Sequence, residues 1–306
     1  MNNSDFFGCS GKLPFNETRS LAMANGASAT IGDFSEFTSK GRVITSIDRI
    51  HRCAKDWTRF ARIALRHAFA DVKCAGAIPL QVMLSFEFGK DVTADERKEC
   101  SNAFGCELFR NGISLGKCHS SQSLGETAVT IATFGQASEK PQAEVNSGRL
   151  YLSHPIGAFK LHYLAEMGFD DITSAAFDLA EIREDNDFCC WDWTILTDVS
   201  GHGLMGAILQ VATNHSLAID LELSRNHILA PEVMAIPATC LENSIDSYGI
   251  DMSSIDERAR MLITLRETAG PFVGFIDDAV NKGSPPGLEL GRYHKRTDRI
   301  EISWKE

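Results

Sequence analysis

The sequence contains no run of about 18 apolar residues, and its first residues, Met-Asn-Asn-Ser-Asp, form no basic and apolar leader. A helical membrane span needs such a run, and a secretory signal needs such a leader. The sequence therefore predicts a cytoplasmic protein that does not cross a membrane.

Positive charge is also scarce. The 306 residues include 30 lysines and arginines against 41 aspartates and glutamates, which gives a formal net charge of -11. A surface of this sign repels nucleic acids and acidic membranes at long range. Neither is expected as a partner, so an anionic substrate must be bound by local cations, backbone amides or a metal ion.

The nine cysteines show neither a disulfide pattern nor a zinc-binding pattern. Their number is odd, no Cys-x-x-Cys is present, and the adjacent Cys189 and Cys190 do not suit a tetrahedral zinc site. Most are expected to be reduced core residues. Cys9 is different because glycines and Lys12 lie beside it, and a nearby cation and free amides favour the reactive thiolate. The alternative is a free thiol near the N terminus without a role.

Apolar periodicity alternates between strand and helix in both halves of the chain, with no internal repeat, which predicts an α/β (α+β) fold. The predicted strands are 42–47, 78–86, 127–134, 150–153, 194–197, 218–223, 271–276 and 299–303, and the predicted helices are 56–72, 93–110, 158–167, 172–183 and 204–215. A polar, proline-containing stretch, 136–148, is the expected domain boundary. We therefore expect a partly ordered, mobile arm (1–40), an N-terminal domain (41–140) and a C-terminal domain (149–306).

The segment Ile195-Leu-Thr-Asp-Val-Ser-Gly-His-Gly-Leu-Met-Gly206 leads from an apolar strand through a carboxylate and glycines into a helix. In one interpretation, Gly201 and Gly203 let backbone amides approach a phosphate while Asp198 holds a divalent cation. In the other, the segment is an ordinary joint between a strand and a helix. The segment alone does not decide between them.

Part of this segment, Thr197 to Gly206, resembles the T-D-V-T-G-F-G-L-L-G motif of selenophosphate synthetases (selenide, water dikinases), which belong to the superfamily of aminoimidazole ribonucleotide synthetase. Other pieces follow in that family's order along the chain. Phe7-Gly-Cys-Ser-Gly-Lys-Leu13 is similar to G-C-x-C-K, Ile44-Thr-Ser-Ile-Asp48 to I-S-T-T-D, His67-Ala-Phe-Ala-Asp-Val-Lys-Cys-Ala-Gly-Ala-Ile-Pro79 to N-A-I-S-D-I-x-A-M-G-x-x-P, Cys118-His-Ser120 to G-G-H-S, Leu152-Ser-His-Pro-Ile-Gly157 to L-T-K-P-L-G, and Glu267-Thr-Ala-Gly270 to Q-T-S-G.

The resemblance implies a two-domain fold like that of aminoimidazole ribonucleotide synthetase, in which the N-terminal sheet pairs with its twin in a homodimer and a C-terminal α/β sandwich domain follows. It also implies an ATP- and Mg2+-dependent phosphotransferase that makes selenophosphate, or a thio analogue, from ATP and selenide. By the same resemblance, Cys9 and Lys12 would be catalytic, Lys12, Asp48, Asp71 and His119 would contact ATP, with His119 reaching the partner subunit's nucleotide, and Asp71 and Asp198 would bind Mg2+.

The chain departs from the family at several positions that face the ligands. The family's acidic D-D-A-A-V segment should fall near Gly26-Ala-Ser-Ala-Thr30, which contains no acid. His67, Cys118 and His154 stand where the family has asparagine, glycine and lysine. These changes indicate a divergent paralogue and leave two alternatives open: a superfamily kinase or ligase with another small acceptor, or a catalytically inactive nucleotide-binding homologue.

Overall fold

In the computed structural model, the described residues are 35–38, 41–137, 145–168, 186–224, 233, 236, 255, 257–279, 285–295 and 299–305. Their contacts divide the chain into two compact units. The first includes 41–137, and the second includes 145–165 and 186–305 apart from the gaps just given. Each unit contains one sheet with helices packed on it.

The first unit has a five-stranded sheet with the strand order β1-β2-β5-β3-β4. All neighbouring strands are antiparallel except β3 and β4, which are parallel. Its elements are β1 (Ser35–Thr38), β2 (Arg42–His51), α1 (Trp57–Cys74), β3 (Ala77–Gly89), α2 (Ala94–Arg110), β4 (Ser114–Ser123) and β5 (Ala128–Ala137).

Local sequence signals set the start of both helices in this unit. The Asp56 side chain caps α1 by accepting a hydrogen bond from the Arg59 amide at 2.7 Å. Thr93 and Glu96 form a reciprocal capping box at the start of α2, as their spacing predicts. Such caps satisfy amide donors that have no partner within the helix.

An aromatic cluster joins the two helices to the sheet. The Phe104 ring of α2 packs edge to face on Phe60 of α1 and on Phe86 of β3, with centroid distances of 5.6 and 5.0 Å. All three rings are buried. Because α1 and α2 cover the sheet face that carries Phe86, the core of this unit lies between that face and the helices.

The second unit has a six-stranded sheet with the order β11-β8-β10-β6-β9-β7, in which only the pair of β11 and β8 is parallel. Its elements are β6 (Ser147–Leu152), α3 (Ala158–Glu166), α4 (Asn186–Cys189), β7 (Ile195–Asp198), α5 (Gly203–His215), β8 (Leu217–Ser224), α6 (Glu257–Ile263), β9 (Phe272–Asp277), β10 (Leu288–Lys295) and β11 (Arg299–Lys305).

The mixed α/β architecture in both halves is confirmed, and every predicted strand lies within or beside an observed strand. The predicted helix 172–183 lies outside the described residues, as does most of the predicted arm, although Ser35–Thr38 forms β1. The predictions missed β4, β10, α4 and α6. Strand β4 gives no periodic signal because all of its residues except Ser123 are exposed.

Pro79 does not begin its strand as predicted. It lies inside β3, where the pairing with β5 shifts register between Pro79 and Gln81. A bulge tolerates a residue without an N–H donor, so the proline is accommodated there.

The prediction that most cysteines occupy the core was wrong. The cysteines in the described part of the chain are free thiols, but only Cys53 and Cys100 among them are buried. Burial raises the pKa of both thiols to about 12, so these two are neutral at neutral pH. No helix among the described residues combines the length and apolar character that a membrane span requires.

Candidate functional site

Two candidate carboxylates of the first unit face each other across β2 and α1. Alternation along β2 places Ser46 and Asp48 on the same face as the fully buried Ile50. On α1, His67 and Asp71 are four residues apart and therefore share a face, and both are buried. The periods of the strand and the helix together place these four polar side chains in one layer of the core.

The Ser46 hydroxyl connects the two carboxylates. Its Oγ lies 3.2 Å from Asp48 Oδ2 and 2.5 Å from Asp71 Oδ2. A hydroxyl carries one hydrogen, so it can donate to only one of these oxygens at a time. The two carboxylates therefore concentrate negative charge in a small, nearly solvent-free space, where a cation is strongly favoured.

His67 lies beside this pair of carboxylates. Its Nε2 lies 3.7 Å from Asp48 Oδ1, and both side chains are largely buried. This separation exceeds a hydrogen-bond length but still allows a favourable electrostatic contact. The imidazole ring of His67 therefore lies next to the Asp48 carboxylate.

The donor set fits magnesium bound together with a nucleotide. Among the described residues, no three or more histidine, cysteine, aspartate or glutamate side chains form a ready metal site. Mg2+ is commonly held by one or two carboxylates while phosphates and water complete its shell. A pair of carboxylates, such as Asp48 and Asp71, is what that mode of binding requires.

Asp198 is in the second unit. It is the last residue of β7, opposite Phe272 of β9, and its side chain is buried. Directly after it, the Val199 amide donates to the Pro271 carbonyl at 2.7 Å. The strand end therefore holds Asp198 in a defined place, as the sequence predicts, while its role as a cation ligand stays a prediction.

Gly203 has a structural role in the turn that follows. Its φ is +64°, and a Cβ at this position would lie 2.6 Å from the Leu265 carbonyl oxygen. Its amide donates to the Ser200 carbonyl at 2.9 Å. The close approach of the backbone explains this glycine without a phosphate, so its N–H serves the turn rather than the predicted anion site.

His119 lies in β4, where it is exposed and opposite Ser85 of β3. Ser85 alternates with the buried Leu84 and Phe86, so His119 and Ser85 lie on the sheet face opposite the helices. Asp48 lies on the helix-covered face. The structure of one chain therefore does not bring His119 to the carboxylate pair.

Cys9 and Lys12 lie outside the described residues, as do residues 26–30, where the resemblance places an acidic segment that this chain lacks. The sequence predictions also missed Ser46 as part of the site. Its spacing of two residues from Asp48 in a strand was the signal that could have identified it. Glu267 was matched to a motif but given no role, because its partners are more than 100 residues away in the sequence.

Comparison with known proteins finds similarity in sequence to one group and similarity in fold to others. No protein-family model matches the chain. The chain is 25% identical over 265 residues to the selenide, water dikinase of Pseudomonas aeruginosa, which covers 74% of this chain and 70% of the relative. It is 24% identical over 258 residues to that of a Shewanella species, with coverage of 74% and 68%.

The solved structures that share this fold include proteins that are not named selenide, water dikinase. A structure titled "AaThiL complexed with AMPPCP and TMP" has a TM-score of 0.69 at 11% identity, with 96% of each chain covered. A HypE–HypF complex has a TM-score of 0.67 at 12% identity, with coverage of 95% and 96%. The chain is therefore similar in sequence to selenide, water dikinases, and it has the aminoimidazole ribonucleotide synthetase-like fold that the AaThiL and HypE structures share.

Proposed function

We propose that this protein is an ATP- and Mg2+-dependent phosphotransferase that makes selenophosphate, or a thio analogue, from ATP and selenide. The observation that carries this proposal is the convergence of the partly buried Asp48 and the buried Asp71 on the Ser46 hydroxyl. These are two positions where the resemblance implies contacts with nucleotide and magnesium. The similarity to selenide, water dikinases supports a kinase-type enzyme, and two solved structures with this fold are complexes with AMPPCP and with ATP.

Each residue of the cluster has a distinct task in this proposal. A divalent cation, when bound, neutralises charge on the phosphates. Asp71 would hold that cation, Asp48 would add a second carboxylate beside it, and the Ser46 hydroxyl fixes the orientation of the carboxylate to which it donates. His67, whose Nε2 lies 3.7 Å from Asp48 Oδ1, would offset part of the negative charge there when it is protonated. Asp198 is proposed as a further magnesium-binding carboxylate on the resemblance alone.

Lys12 and Cys9 are proposed as the catalytic residues, again by resemblance. Lys12 would follow the charge of the transferred phosphoryl group, a task that suits a cation on a flexible stem. Cys9 would handle the incoming chalcogen through its thiolate.

Replacing Cys9 separates chalcogen chemistry from phosphate binding. We expect Cys9→Ser to lower selenide-dependent product formation by at least about 100-fold while the affinity for Mg2+-ATP changes less than about twofold, because a hydroxyl is a far weaker nucleophile. Initial rates and calorimetry measure the two quantities. Cys106→Ser, which removes an exposed thiol on α2, is the matched control. Full activity of Cys9→Ser would show that Cys9 is incidental.

A kinase with another acceptor is the second candidate. It is favoured by the fold similarity to AaThiL, with a TM-score of 0.69 over 96% of both chains. ATP consumption should be followed by nucleotide chromatography with no acceptor, with selenide and with thiamine monophosphate. Selenide-dependent consumption supports the first proposal, and consumption that ignores selenide but requires another acceptor favours the second. Binding of ATP without consumption under all conditions indicates an inactive homologue.

We also propose a homodimer formed through the open face of the first sheet, which is the face opposite α1 and α2. Ile47, Ala132 and Met83 lie side by side on this face in neighbouring strands. Ile47 is 71% and Met83 is 41% exposed. A second copy of the sheet would cover these apolar side chains and would place His119, on the same face, within an interface.

Light scattering at micromolar concentration is expected to report twice the chain mass of 33.6 kDa. Met83→Lys should shift the protein to monomers by burying a charge in the proposed interface. Phe109→Lys, which adds the same charge at a residue that is 86% exposed on α2, should leave the dimer intact. A monomeric wild-type protein would contradict both the dimer and the action of His119 across it.

A further inference from the structure

Glu267 is a buried carboxylate that the proposed chemistry does not use. It lies in the chain segment that connects α6 to β9 and is 1% exposed. One carboxylate oxygen accepts a hydrogen bond from the Gly157 amide, and the other accepts one from the Phe159 amide at 3.2 Å. These amides open α3, whose own first turn contains no acidic residue. Glu267 therefore supplies the negative charge that the N terminus of this helix favours.

The backbone of the same residue contacts the turn after Asp198. The Glu267 amide donates to the Ser200 carbonyl at 3.1 Å. Nearby, Gly270 approaches the Val199 carbonyl so closely that a Cβ at that position would overlap with it. The segment 265–271 thus lies directly against the turn that follows Asp198.

One more feature shows that this segment is held by its contacts. Ala269 has a φ of +56°. This left-handed conformation is energetically unfavourable for any residue that carries a side chain. Such strain persists only where the surrounding contacts leave no alternative. The hydrogen bonds of Glu267 are among those contacts.

We infer that Glu267 is a positioning residue for Asp198: the α3 amides fix its carboxylate, and its backbone in turn fixes the turn that begins at Asp198. Charge-assisted hydrogen bonds to a buried carboxylate are strong, and breaking them leaves the carboxylate or the amides unsatisfied. The arrangement therefore has a single favourable geometry. This inference deepens the proposed function and rests on it, because it matters for catalysis only if Asp198 binds the cation.

Hydrogen exchange measured by mass spectrometry tests the coupling without any nucleotide. In Glu267→Ala, the amides of 157–160 and 199–206 are expected to exchange about tenfold faster or more, while the amides of β2, β3 and β5 keep their wild-type rates. Added formate should restore slow exchange by taking the place of the missing carboxylate. Glu267→Gln, which keeps one acceptor oxygen, should give an intermediate rate and remains informative if the alanine variant folds poorly. Wild-type exchange at 199–206 in Glu267→Ala would overturn the inference.

Glu107→Ala is the matched control. Glu107 is also buried, but it pairs with Arg62 and Arg110 in the first unit. Its loss should lower the melting temperature without local acceleration at 199–206. If it accelerates exchange there as Glu267→Ala does, the effect is general destabilisation and the positioning role is refuted.

A double-mutant cycle then links Glu267 to the cation. The losses of Mg2+-ATP affinity in Glu267→Ala and Asp198→Asn should be strongly non-additive, because both act through the same carboxylate. Fully additive losses would show that Glu267 does not act through Asp198. If the wild-type protein shows no Mg2+-dependent ATP binding, the proposed function fails, and the exchange experiment still decides whether Glu267 fixes the turn.

Discussion

Asp71→Asn is expected to weaken Mg2+-dependent ATP binding by about 2–4 kcal/mol, or roughly 30- to 700-fold. The substitution keeps the size of the side chain and an oxygen that can accept from Ser46, but it removes one of the two charges that converge on that hydroxyl. Calorimetric titration with ATP, in Mg2+ and in excess chelator, measures the effect. Binding in chelator should be weak for both proteins.

The same variant should keep or raise its melting temperature in the absence of metal. Asp48 and Asp71 each lie within hydrogen-bonding range of one hydroxyl, so removal of one charge relieves repulsion in a buried site. Asp95→Asn, which neutralises an exposed aspartate on α2 of the same unit, should leave nucleotide affinity unchanged. If folded Asp71→Asn binds Mg2+-ATP as the wild type does, Asp71 is not part of the site.

Lys12→Ala is expected to reduce turnover by at least about 1,000-fold while the melting temperature changes little. The proposed role of this cation is to follow charge that develops on the transferred phosphoryl group, so its loss should affect the rate more than ground-state binding. Steady-state rates with saturating ATP and thermal unfolding give the two readouts.

Two further variants make the Lys12 result specific. Lys12→Arg keeps the charge and should retain part of the activity, since guanidinium also binds phosphate but with a different geometry. Lys98→Ala removes an exposed lysine from α2 and should turn over normally. Normal turnover of Lys12→Ala would contradict the proposed catalytic role of the N-terminal segment.

Elements with a clear local signal could be predicted from the sequence. The apolar stripe of α1 and the Thr93–Glu96 capping box of α2 each depend only on residues close together in the sequence, so both helices could be predicted. The structure confirms both helices. Strand β4 could not be predicted. It is an edge strand exposed on both faces, so its sequence does not alternate between apolar and polar residues.

The candidate site divides in the same way. Asp48, Asp71 and Asp198 could be proposed from motifs, since each lies within a recognisable run of sequence. The contact of Ser46 with Asp71 and the capping of α3 by Glu267 join residues that are 25 and about 110 positions apart. Such contacts depend on how elements pack, and packing leaves no signal in the local sequence.

Phosphorus NMR of the wild-type protein tests the central claim most directly. With ATP, Mg2+ and selenide under reducing conditions, the account predicts loss of the ATP resonances and growth of a new phosphorus resonance that requires both selenide and Mg2+. Intact ATP after prolonged incubation with selenide and Mg2+, in a protein shown to be folded, would contradict it.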